Sequence, residues 1–307
     1  MDYCKALISF ILLCSSHKNR KISSNTFSYW NFLHGEASTS NEVSSLLKNS
    51  GYEFVAEAYL ELFHIVIQNC KAKSLKILSL SEVRKSGIGN VNSDAKELFE
   101  EDNQLSDAFS DENTTLQDYR VLAQDTFYNC CNMITMLKGA QGMEALFSLI
   151  IPSITEDYII KHNLDLNQPK IRTEYILHCE AILFSARSVL DFLNRKTSAG
   201  QLDRTVKDII KAPSENINFG DFDKYIIEII KRIVMFPQES ILVRSCLYFI
   251  KESKQKLKKC VPESLDEILT YCLNIDDFNL IEAKCEVKSN YSFFKHLVFF
   301  YFGQSCQ

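Results

Sequence analysis

The stretch Arg172–Leu193 constrains the fold more than any other part of the sequence. Tyr175, Cys179, Ile182, Ala186, Val189 and Leu193 recur at steps of three and four. Ile176, Leu183 and Leu190 repeat one seat over. Together they make a helical apolar stripe too wide for one partner helix. Glu180, Arg187 and Asp191 lie off the stripe, so the spacing predicts a helix packed between two neighbours and wet along one edge. No residue in it is arranged for chemistry.

The rest of the chain repeats the pattern. Asp2–Ser15 reads as a helix, with Lys21–His34 as its antiparallel partner across a short polar link. Ser38–Ser50 reads as a loop with a weak turn near Val43–Leu47. Glu53–Cys70 is a strong helix. Another runs to Leu137, with Thr115 and Asp118 placed as a capping box. Gly139–Gly142 makes a turn, and a further helix from Met143 towards His162 is kinked or split by Pro152. After Leu193, Asn194–Gly200 reads as a polar turn. Further helices are predicted over 202–211, from Phe222 to Ile233, over 241–257, from Ser264-Leu-Asp-Glu267 to Asn274, and from about Asn279 into the aromatic run ending at Phe302. The four lysines Lys254, Lys256, Lys258 and Lys259 suit a helix C-terminus.

Only nine glycines and five prolines occur in 307 residues, too few for a many-turned β protein. No strand is evident. About a dozen helices at a rhythm of roughly 40–50 residues match degenerate helical repeats. The expected fold is therefore all-α, a HEAT/armadillo-like α-solenoid of stacked antiparallel helix pairs. Residues 1–72 and 116–307 form its repeats, and 73–115 form an acidic insertion. Within that insertion, Asp94–Glu112 holds eight acidic residues against Lys96 alone. It reads as a solvated linker or as a docking segment for a basic partner, and Glu100, Glu101 and Asp102 are the candidate contacts.

Composition narrows the function. A net charge of −5 argues against a dominant nucleic-acid surface. Eleven cysteines without a Cys-x-x-Cys pair, several on apolar stripes (Cys70, Cys130, Cys179, Cys246, Cys272), read as reduced core thiols of a cytosolic or nuclear protein. In that setting the sequons at Asn113 and Asn290 carry no weight. Ala6–Cys14, behind Lys5, has the look of a short signal core, but its pattern continues into a second helix. That run and the aromatic one near the C-terminus are both too short to cross a bilayer, so no membrane partner is expected.

Gly87-Ile-Gly89 lacks the third glycine of a dinucleotide loop, and no phosphate loop exists. The six histidines never pair at helical ligand spacing, and adjacent His178 and Cys179 point to different sides of their helix. No nucleophile elbow is present, and nothing sets one cysteine apart as a nucleophile. Asp276-Asp277 opens the carboxylate pattern of helical isoprenoid enzymes, but Leu280 stands where it should close. The expectation is a non-enzyme without metal or cofactor.

Three segments carry a family resemblance. Leu7–His17 followed by Lys21–Leu33, with its Ile22-x3-Thr26-Phe27-x-Tyr29-Trp30 pattern, resembles a helix pair of importin-β superfamily nuclear transport receptors, most of all the transportin-SR branch. Asp118-Tyr119-Arg120 is similar to the segment that follows an acidic loop in that family. Glu180-Ala-Ile-Leu-Phe-Ser-Ala-Arg-Ser188 is similar to its helix beginning Glu-Ala, although Tyr175 and Ile176 stand where relatives carry a tryptophan. The resemblance covers most of Leu7–Leu193. It implies a middle segment of an import receptor working in cytoplasm and nucleus, without the N-terminal repeats that grip the GTPase Ran or the C-terminal ones that embrace cargo. The implied partners are protein cargo (basic or serine/arginine-rich), nucleoporins and Ran. The alternative from the residues alone is a HEAT-repeat scaffold or regulatory subunit unrelated to transport.

Overall fold

The computed structural model describes residues 2–48, 52–73, 116–202, 217–237 and 239–253. Among these the chain is all-α, with ten α-helices, three short 3-10 turns and no strand. The helices expected over 202–211, 264–274 and from 279 onward lie outside the described residues.

Helix α1 (Asp2–Ser15) reverses into α2 (Arg20–Asn25) and α3 (Phe27–Thr39). The single helix expected over 21–34 is therefore two. Ser23 and Thr26 sit at the joint, and the Thr26 hydroxyl donates to the Ser23 carbonyl (2.7 Å), side-chain competition that weakens a helical ladder. The loop expected over 38–50 is also corrected as far as Lys48. α3 continues to Thr39, and after Ser40 alone α4 (Asn41–Lys48) begins. The Ser40 hydroxyl accepts the Val43 amide (3.3 Å) as an N-cap, and Leu47 is buried. The same serines that lower helix propensity thus also start the helix.

Helix α5 (Glu53–Cys70) follows, then α6 (Leu116–Ile150), which breaks at Gly139 with φ 58° and ψ −140°. That geometry is cheap only for glycine. The chain reverses there so sharply that a Cβ on Gly142 would lie 2.6 Å from Ile134, eight residues back. The apolar stretch Leu116–Ile154 has the length and hydropathy of a membrane span. The Gly139 reversal and the burial of Tyr119, Phe127 and Phe147 in the protein core make it two core helices instead.

Pro152 opens a 3-10 turn (Pro152–Ile154), leaving a short α7 (Glu156–Lys161). Helix α8 (Pro169–Leu202) contains the organising stretch and runs through the turn expected over 194–200. An Asp191–Arg195 pair (2.8 Å) one turn apart and the Lys196 and Arg195 side chains over the Phe192 and Tyr128 rings support its continuation. A 3-10 turn (Phe219–Phe222), α9 (Asp223–Arg232), a second such turn (Ile233–Met235) and α10 (Ser240–Glu252) complete the described chain.

Long-range contacts define how the helices stack. Arg172, Glu180 and Arg187 of α8 meet Glu239, just before α10, and Ser245 and Glu252 within it at offsets of 67, 65 and 65 residues, so α8 and α10 run parallel. Arg120 of α6 meets Glu180 of α8, and further along Phe127 and Tyr128 meet Phe184 and Phe192, so these helices are parallel as well. Asn31 and His34 of α3 meet Asn129 and Asn132 of α6 at a constant offset of 98. The row is thus α3, the first half of α6, α8 and α10. A second row begins with α1 and α5, parallel through Lys5 over the Phe54 ring and Ser15 against Asn69. Between rows the helices oppose each other: Glu57, Phe63 and Cys70 of α5 meet Lys138, Phe127 and Arg120 of α6.

The core runs between the rows as one continuous cluster, with Trp30, Tyr59, Tyr119, Phe63, Phe127 and Phe147 as its largest fully buried side chains. From Tyr175 to Leu193 only Arg187 and Asp191 escape burial. The wet edge expected for α8 is therefore much narrower, and Glu180 does not belong to it.

Candidate functional site

Three separated segments meet at one buried joint. At the α1–α2 reversal the Ser15 carbonyl accepts from the Ser23 hydroxyl (2.6 Å) and the Asn69 side-chain amide (3.0 Å). The Trp30 indole donates to the Ser15 hydroxyl (3.1 Å), and its ring packs on Tyr59 at 5.2 Å. Tyr119 shares a hydroxyl–hydroxyl bond with Ser23 (3.0 Å) across 96 residues. Next to Tyr119, Arg120 donates to both Glu180 oxygens (2.9 and 2.5 Å) and twice to the Cys70 carbonyl (3.1 and 2.7 Å). Its guanidinium also lies 4.8 Å from the Phe184 ring centre.

Arg120 and Glu180 side chains are 3% and 4% exposed. Such a pair persists only because its polar atoms are matched, and removing one partner strands a buried charge. Burial pushes the Cys70 thiol up to about 12, with Arg120 and Arg20 pulling against it. Trp30, Tyr119–Arg120 and Glu180, the core of the three resemblance segments, thus hold α1, α2, α3, α5, α6 and α8 in register. They form a structural joint that presents nothing to solvent.

The surface site lies further along the same helices. A cleft of about 600 Å³ crosses the row from α3 to α10, within the volume range of ligand sites. Asn31 comes from α3, Gln124, Asp125, Tyr128 and Asn129 from α6, Arg187, Asp191, Asn194 and Arg195 from α8, and Glu252 from α10. Arg187 is clamped to Glu252 by two bonds (2.5 and 3.1 Å) and lies over Tyr248. Arg195 is paired with Asp191. Asn129 donates to Asn31 (2.8 Å). Most of the lining side chains are polar. It suits reversible hydrogen bonding and offers no nucleophile–base pair.

The sequence-based candidates Glu100, Glu101 and Asp102 lie outside the described residues, as does Thr115. Cys70, Cys130 and Cys179 are free and buried, and Cys246 is buried as well; Cys272 lies outside. Burial raises Cys130 and Cys131 and pushes Cys179 up to about 12, so all three stay thiols at neutral pH. Among the described residues no group of three or more His, Cys, Asp or Glu side chains converges as metal ligands. His178 stacks on Tyr158 at 4.6 Å, and burial, aided by Lys71, lowers it to about 4. Cys179, next to it, faces the core.

The joint partner of Glu180 and the whole cleft escaped the sequence reading. The first pairs residues 60 apart. The second draws ordinary exposed polar residues from four helices. Neither leaves a local signature, although Arg120 and Glu180 each stood inside a segment singled out for resemblance. No protein-family model, no curated protein and no solved structure matches the chain.

Proposed function

We propose that the chain is a segment of a HEAT- or armadillo-type α-solenoid that binds other proteins, and that it serves nuclear transport in the manner of importin-β superfamily receptors. The observation that carries this reading is the parallel stacking of α3, the first half of α6, α8 and α10. Each helix pair buries its face on the next, which is the packing logic of repeat proteins. The transport assignment rests in addition on the resemblance of the Ile22–Trp30, Asp118–Arg120 and Glu180–Ser188 segments, whose residues make the joint between pairs.

On this reading the work is reversible binding. Protein cargo and nucleoporin repeats are the ligands, Ran in its GTP form releases cargo, and no bond is made or broken. The acidic residues Glu100, Glu101 and Asp102 would add attraction for a basic or serine/arginine-rich cargo. The test is affinity capture on the tagged full chain, with and without excess Ran locked to GTP. Retention of nucleoporins together with proteins that Ran-GTP strips off is the expected result. A fixed, stoichiometric partner set indifferent to Ran would overturn the transport assignment in favour of a scaffold.

A further inference from the structure

We propose that helix α1 lies along the surface of an anionic phospholipid bilayer, its outward apolar stripe sunk towards the acyl chains and the basic reversal after it against the headgroups. This goes beyond the transport reading and does not depend on it.

The first argument is an uncovered apolar face. Tyr3, Leu7, Phe10 and Leu13 are 92%, 51%, 60% and 69% exposed, and Ala6 is exposed among them. They recur at steps of three and four, so they share one side of the helix. Ile8, Leu12 and Ser15 make the buried side. The helix is thus apolar all round, a pattern that belongs to a helix covered on both sides. Among the described residues only one side is covered. Lys5 stands about 140° around the helix from Phe10 and reaches over the Phe54 ring of α5. Helix α5, with its exposed Glu53, Glu57 and Glu61, therefore lies on the side of α1 away from the stripe.

The second is charge. From Tyr3 to Gly35 the sequence holds four cations and no carboxylate, in a chain whose net charge is −5. Three of the four, Lys18, Arg20 and Lys21, stand at the reversal that follows the C-terminal end of α1. Lys18 is exposed there. An uncharged stripe that ends in a group of cations suits a helix held at an anionic membrane surface, where apolar burial and attraction to the headgroups act together.

The third is size. Helix α1 has 14 residues, about 21 Å of helix. The expectation of no membrane partner rested on the length needed to cross a bilayer, about 30 Å. Lying along the surface has no such requirement. A second copy of the chain is a poorer cover. A helix face about 21 Å by 10 Å offers about 200 Å² a side, against the roughly 800 Å² per partner of a standard stable interface. A bilayer needs no matching protein surface of that size.

The test sediments the full chain with vesicles of phosphatidylcholine alone or with about 30% phosphatidylserine. Binding to the anionic vesicles is expected to be at least tenfold tighter. Phe10→Asp with Leu13→Asp should weaken it at least tenfold without lowering the urea midpoint, since both side chains are exposed. Lys18→Glu should weaken binding and flatten its salt dependence. A Leu7→Trp reporter should shift its emission to the blue on anionic vesicles, over the constant signal of buried Trp30. The inference is overturned if the chain stays in the supernatant, if the double aspartate variant sediments as the parent does, or if the reporter emission does not move. A lipid-free dimer that the double variant splits would mean that a second copy covers the stripe, and would overturn it too. Ran-sensitive capture without vesicle binding would sink this inference and spare the transport reading. Vesicle binding without any Ran-sensitive capture would do the reverse.

Discussion

Helices α6 and α8 carry two ion-paired regions with opposite settings. At their N-terminal side Arg120 and Glu180 are closed in at 3% and 4% exposure, with the Cys70 carbonyl and the Phe184 ring completing the shell. At their C-terminal side Arg195–Asp191 and Arg187–Glu252 lie along an open cleft, with side-chain exposures between 26% and 65%. The chemistry of the pairs is the same; the dielectric around them is not. Inside, a broken pair leaves an unsolvated charge. Outside, water replaces the lost partner at little cost. The comparison teaches that the residues carrying the family resemblance are the ones the fold depends on. Most of the residues along the open cleft lie outside those segments.

The largest expected effect breaks the closed region. Glu180→Ala should destabilise the chain by about 3–5 kcal/mol, read as a fall in the urea midpoint with the slope unchanged. A loss below about 1 kcal/mol would mean that water reaches Arg120 and that the two regions are alike.

Next comes pH. His178 is held down at about 4 by burial, against an ordinary histidine near 6.5. Between those values the unfolded chain binds the proton and the folded chain does not. Stability should therefore be intact above about pH 6.5 and decline as pH falls towards 4, by up to about 3 kcal/mol. His178→Phe should remove that component of the decline, and an unchanged profile would refute the assignment.

Tyr119→Phe deletes the hydroxyl shared with Ser23 and leaves the ring in place. The expected loss is about 1 kcal/mol, measured by the same denaturation. The smallest effect belongs to the open region: Arg195→Ala should change stability by less than about 1 kcal/mol, and a larger loss would show that the cleft is part of the scaffold.

The sequence predicted the helices well where the driving force is an apolar face. Glu53–Cys70 and Asp2–Ser15 have the bounds that their periodicity suggests. The misses have a common cause. Asn41–Lys48 and Asn194–Gly200 have low helix propensity, yet a serine cap, the burial of Leu47 and the α8 side chains on Phe192 and Tyr128 hold them helical. Tertiary contacts of that kind do not show in a local window. A carboxylate on a helix usually marks the wet side, so Glu180 reads as lying off the stripe; its partner sits on another helix. The cleft was not legible because carboxamides at exposed positions are what any solvated face contains.

The most direct test of the joint is a double-mutant cycle between Arg120 and Glu180, with Arg120→Met, Glu180→Met and the double variant unfolded in urea. A buried, matched pair predicts large single losses, substantial recovery in the double variant and a coupling energy of at least about 2 kcal/mol. Single losses that add to within about 0.5 kcal/mol would mean that the two side chains do not meet. The account of how these helices are joined would then be wrong.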